Sequence, residues 1–194
     1  MINRLFVNGV YVIIIFQLLG CKDKEREVMT YEIEDVIEHL TSIEKKRLFL
    51  EKVYEDDQNV RSSETLQDII TNHGNNSPEH IAYTKKQNKQ DHINLEKIER
   101  YLNKFGHPDK ASFSENAVLV PWIVIHHSTT YEVRECNFKY LYKAYKKGDL
   151  SVNRLSFFLD RMYRIKFGER LDMGSSYKEV DKITLIINTL NIEE

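Results

Sequence analysis

Proline and glycine are scarce in this chain: 194 residues hold three Pro and seven Gly. That excludes collagen-like and low-complexity linker segments, and no internal repeat occurs at solenoid periods. Cysteine is scarcer still. Cys21 and Cys136 are the only two, too few for a disulfide framework, so stability must come from packing. The formal charge is -2, which leaves no electrostatic footprint for nucleic acid. Phosphate-binding Gly loops, Cys-x-x-Cys pairs, H-E-x-x-H and G-x-S-x-G are all missing, so no cofactor is expected. What is present, 41% hydrophobic and 30% charged residues, suits one soluble domain with a real core.

The first twenty residues are of another kind. Arg4 precedes an apolar stretch, residues 10–19, broken only by Gln17, and no acidic residue occurs before Asp23. A charged start followed by a short apolar run is the layout of an export signal, too short to span a bilayer comfortably. It closes on Leu18-Leu19-Gly20-Cys21, which resembles the lipobox of bacterial lipoproteins. The resemblance implies cleavage before Cys21, lipidation of its sulfur, and a chain exported and anchored to a membrane of the cell envelope. Two or more acyl chains anchor stably where one does not. Residues 1–20 then form the signal peptide, 21–29 a charged tether (Lys22-Asp23-Lys24-Glu25-Arg26-Glu27), and 30–194 the domain. Loss of Arg4 with the leader takes the net charge from -2 to -3. With Cys21 lipidated, Cys136 stands alone.

Within that domain, residues 112–128 read S-F-S-E-N-A-V-L-V-P-W-I-V-I-H-H-S. A segment apolar on every side must be buried on every side, which places it at the centre of a core. Ser112-x-x-Glu115 fits a capping box that opens a central helix, with a kink expected at Pro121. A strand over residues 118–125 is the alternative, because the run is rich in Val and Ile. His126 and His127 are carried to the edge of the core, where a polar group needs a partner. Side chains one residue apart on a helix diverge by about 100°, so these two are poor joint ligands and no metal site is expected.

Around this stretch the 3.6-residue period predicts a mainly α fold. Helices are expected from Thr30 to about Leu40 and from Thr41-Ser42-Ile43-Glu44 to about Val60. A short one follows after Ser62, with Leu66, Ile69, Ile70 and His73 on one face and Gly74 as its stop. Asn75-Asn76-Ser77-Pro78 reads as a loop, and the polar residues 85–90 as the most mobile part. Further helices are expected over 91–105, 132–147 and after Ser151, the last with Leu155, Phe158, Leu159 and Met162 inward. From Tyr163 the apolar residues alternate: Tyr163, Ile165, Phe167, then Gly168-Glu169, then Leu171 and Met173. That predicts one small β-hairpin over 163–173. Ser176-x-x-Glu179 caps a last helix bearing Val180, Ile183, Ile187 and Leu190.

Several ionisable residues share core-facing stripes. Asp57 and Arg61 continue the stripe of Leu50, Val53 and Tyr54, and Asp91 begins that of Leu95, Ile98 and Leu102. An exposed Asp57–Arg61 pair at i,i+4 is the plain alternative. In order, Asp57-Gln58-x-x-Arg61, Asp91-x-x-Asn94, Gly106-x-Pro108, Trp122 with His127, and Asp160-Arg161 followed by Gly168 and Gly174 resemble a bacterial domain-of-unknown-function family, number 6624. The resemblance covers about residues 45–176 and brings no activity with it. Leu171 and Met173 stand where that family has a polar and an aromatic residue.

Buried charge persists only when paired, so Asp57, Arg61, His127 and Asp160-Arg161 are expected to meet in one cluster. Two functions are compatible with these residues. One is a binding or interaction module displayed on a membrane through Cys21, with a protein or small-molecule partner. The other is an enzyme in which His127 acts as general acid or base, oriented by Asp57, Asp91 or Asp160, while Arg61 or Arg161 binds the anionic group of a small substrate and Asp91 is a further ligand-binding candidate.

Overall fold

A computed structural model describes residues 30–174 and 177–192. The leader, Cys21 with its lipobox, the tether and the Ser176 cap lie outside the described residues. The chain divides into two compact units, one ending at Leu40 and one beginning at Thr41. The described part of the first is helix α1, residues 30–38. The second holds α2 (Ile43–Asn59), α3 (Ser63–His73), α4 (Pro78–Phe105), α5 (Glu115–His127), α6 (Tyr131–Lys147), α7 (Val152–Phe167) and α8 (Glu179–Leu190). The fold is mainly helical, and no strand occurs among the described residues.

Helix α5 is the centre of the second unit. It packs on α2, α4 and α6; α6 in turn packs on α7, and α7 on α8. Eight of its thirteen residues are buried, among them Val120, Ile123, Val124 and Ile125. Each large apolar side chain taken fully out of water contributes about 1.5–3 kcal/mol, so this helix holds its neighbours together. The strand alternative does not occur, because α2, α4 and α6 bury this apolar segment as a helix. The helix runs through Pro121, whose missing N–H leaves the Ala117 carbonyl without its usual donor.

Two boundaries differ from the sequence reading for local reasons. The cap of α5 is Ser114, which accepts from the Ala117 N–H, and not Ser112. Ser112 is consumed in a turn: its N–H and that of Ala111 donate to the Asp109 carboxylate. Helix α4 begins at Pro78, capped by Ser77, so residues 85–90 are helical throughout. Their polarity reflects a solvated helix face.

The hairpin over 163–173 is a correction. Helix α7 continues to Phe167, and Gly168, in the left-handed region at φ 80°, ends it by donating to the Arg164 carbonyl. Tyr163 and Phe167 alternate with charges, yet they are also four residues apart and meet on one helix face, ring centroids 4.6 Å apart. Five residues are too few to separate the two periods. Gly168 is thus a helix stop rather than a turn residue, and residues 171–174 form no regular element. Val180, expected inward, is exposed, while Ile186 joins Ile183, Ile187 and Leu190 in the core.

Candidate functional site

The site forms where the C-terminal ends of α2 and α5 reach the middle of α4. Asp57 lies in the last turn of α2, and its side chain is 1% exposed. A carboxylate at a helix C-terminus faces the negative end of the helix dipole as well as the cost of burial. It persists because donors surround it. Arg61 Nε donates to Oδ2 at 3.3 Å, Gln58 Nε2 donates to Oδ2 at 2.8 Å, and His127 Nδ1 lies 3.0 Å from Oδ1. Burial pushes the Asp57 pKa up, but hydrogen bonding and charge from His127, together with Arg61, outweigh it and hold the carboxyl below its ordinary value.

Arg61 joins two helices. Its guanidinium also donates to Asp91 Oδ1 from α4, so one cation lies between two carboxylates. One turn on, buried Asn94 accepts from Gln90, while its Nδ2 has no partner. His127 ends α5 with its side chain 23% exposed. With Asp57 as acceptor, Nδ1 carries a proton in either state of the ring, and in the neutral ring Nε2 holds the lone pair. His127 borders a cleft of about 340 Å³, whose polar lining includes Asn88, Asp91, His92, Ser128, Thr129 and Thr130.

The expected cluster is therefore divided in two. Asp57, Arg61, Asp91 and His127 come together. Asp160 does not join them; it pairs with Lys182 of α8 at 3.2 Å. Arg161 sits on the other histidine, its Nη1 3.3 Å from His126 Nε2. The divergence of adjacent helical side chains explains the split, because His126 and His127 serve different neighbours. His126 is stacked between Trp122 and Phe157, each ring centroid 4.9 Å away. Burial, aided by the charges of Arg134 and Arg161, pushes its pKa down to about 3.

Arg134 escaped the sequence reading. It is fully buried, and it donates to the carbonyls of His126 and Ser128, capping the C-terminus of α5 from α6. The legible signal was its place four residues before Phe138 and seven before Leu141, on the inward stripe of α6. No acid pairs with it among the described residues. The negative end of the α5 dipole is its counter-charge.

Asp57, Asp91 and His127 offer ligand atoms within 4.8 Å of one another, the spread of a metal donor set. Arg61 already lies between the two carboxylates and supplies the positive charge a cation would bring. Asp57 and Asp91 are therefore charge-balanced largely by protein groups. No family model, curated protein or solved structure matches the chain. No helix among the described residues is long and apolar enough to cross a membrane.

Proposed function

We propose that this chain is an envelope lipoprotein that binds a small, neutral, hydroxyl-bearing ligand in the cleft beside His127. The observation that carries the reading is the Asp57–His127 hydrogen bond, which orients the ring so that Nε2 is left as an acceptor at the cleft. Ser128, Thr129 and Thr130 add hydroxyls that both donate and accept. Arg61 is taken by two carboxylates and does not line the cleft, which argues for a neutral rather than an anionic ligand here.

Ligand-observed NMR with neutral mono- and disaccharides tests this reading. A binder should lose affinity about ten-fold in His127→Gln and in Asp57→Asn, the worth of one well-made hydrogen bond. Equal affinity in both variants would show that the cleft is not the site. A second reading, acid–base catalysis on the same ligand, is favoured by the carboxylate on Nδ1, which stabilises the ring when Nε2 takes a proton.

The anchor has its own test. Replacing Cys21 with Ser should move the protein from the membrane to the soluble fraction on cell fractionation. A Ser variant that stays with the membrane, beside a parent that incorporates no labelled fatty acid, would contradict the lipobox reading.

A further inference from the structure

A larger cavity than the His127 cleft lies elsewhere, between the end of α4 and the outer face of α6. It is about 660 Å³, nearly twice the cleft at His127, and its walls include Lys139, Lys143, Lys146 and Lys147. Four ammonium groups within little more than two turns contrast with a chain whose net charge is -2. Two of them, Lys146 and Lys147, sit in the last turn of α6, where they favour the helix dipole. Lys139 and Lys143 lie further back and receive no such benefit.

None of the four is in an ion pair among the described residues. Lys139 lies 5.0 Å from the Tyr140 ring centroid and Lys146 5.7 Å from that of Tyr142. Asp149 is the only acid on the wall among the described residues, and its carboxylate accepts from the Lys110 N–H. Like charges at i,i+4 repel, so the group gains nothing within the helix.

A second feature lies on the same wall. His107 Nδ1 is 2.9 Å from the Pro108 carbonyl, an acceptor, so Nδ1 carries the proton and Nε2 keeps the lone pair. Nε2 is buried and has no partner. That burial seals Nε2 from a ligand in the cavity, so the ring serves the wall by its shape alone. Burial keeps this ring neutral by lowering its pKa, against the pull of the Pro108 carbonyl and Asp149.

From the unpaired lysines, the volume and the tyrosine wall we infer that this cavity binds an acidic sugar, a ring that carries a phosphate or carboxylate together with free hydroxyls. The acid group meets Lys143 and Lys147, and the sugar ring lies against Tyr140 and Tyr142. The volume exceeds what an inorganic anion fills and suits one or two sugar rings. This site is independent of His127 and of the reading proposed for it.

Isothermal titration of the full chain in detergent micelles tests the inference, with glucose 6-phosphate as probe and glucose and inorganic phosphate as comparisons. Glucose 6-phosphate should bind at least about ten-fold tighter than either. The K143E/K147E double variant should lose that affinity at least about ten-fold, while His127→Gln leaves it unchanged. Both lysines are exposed, so the variant is expected to fold; K143A/K147A is a milder check that should weaken binding in the same direction. Glucose 6-phosphate binding no tighter than phosphate would overturn the sugar assignment. Unchanged affinity in both lysine variants would overturn the site. Phosphatidylglycerol vesicles or a single-stranded oligonucleotide that bind through these lysines while glucose 6-phosphate cannot compete would overturn the ligand class.

Discussion

Replacing Arg61 with alanine is expected to lower the stability of the second unit by about 3–5 kcal/mol, the cost of stranding a buried carboxylate. Asp57 is fully buried, and Arg61 is the one permanent cation that contacts it. After the change, Asp57 keeps Gln58 and His127, and Asp91 loses its partner, so the Lys97–Asp56 pair is left as the charge link between α4 and α2. Asp160→Ala provides the contrast. Asp160 and Lys182 are part-exposed, at 22% and 12%, and the pair is isolated, so its loss should cost under about 1 kcal/mol. Urea denaturation of the three proteins checks both numbers. Equal midpoints for Arg61→Ala and the parent would mean that Asp57 is held by His127 and Gln58 alone.

Acid should destabilise the protein well before its carboxylates titrate, and His126 is the main reason. The unfolded ring takes a proton near pH 6.5, whereas the folded one resists until about 3. Between those values the unfolded chain binds one proton more than the folded chain, so stability rises with pH in that window and is lost as pH falls. From about pH 6.5 to about pH 4.5 the loss is about 2–3 kcal/mol. His126→Phe keeps an aromatic ring between Trp122 and Phe157 and removes the titration. Its midpoint should decline less than the parent's over that range, the remaining slope coming from His107, whose pKa burial also lowers. Asp57 acts in the same direction at lower pH. Its depressed pKa makes a contribution that is complete above the ordinary carboxylate value and disappears as pH falls through the folded value. Parallel declines in His126→Phe and the parent would show that another group takes up the proton.

The two histidines show how far the residues alone can be read. An all-apolar stretch ending in His126-His127 has to be a central buried element, and the inward stripe carrying Asp57 and Arg61 points to a polar cluster. Both follow from helical periodicity, which depends only on neighbours in sequence. Whether Asp160 belongs to that cluster depends on where α7 crosses α5, and spacing does not encode a crossing. Economy of pairing suggested one cluster. The structure satisfies the same charges in two places, one around His127 and one around His126, with Lys182 taking Asp160. The hairpin failed for another reason: Tyr163, Ile165 and Phe167 fit both periods, and the extended stripe of α7 outweighed the local alternation.

Lys143 and Lys147 illustrate the opposite limit. On sequence they are a solvated helix face, and only the fold shows that they border a cavity with His107. The same holds for Ser128, Thr129 and Thr130, which are connecting residues until α6 folds back and places them beside the His127 ring.

Nitrogen-15 spectra of the histidine rings, recorded while a neutral saccharide is titrated in, test the His127 cleft most directly. The Nε2 resonance of His127 should shift on binding, while its Nδ1 resonance, tied to Asp57, and both resonances of His126 stay in place. A saccharide that binds with the His127 Nε2 resonance unmoved would contradict the assignment of this cleft as the functional site.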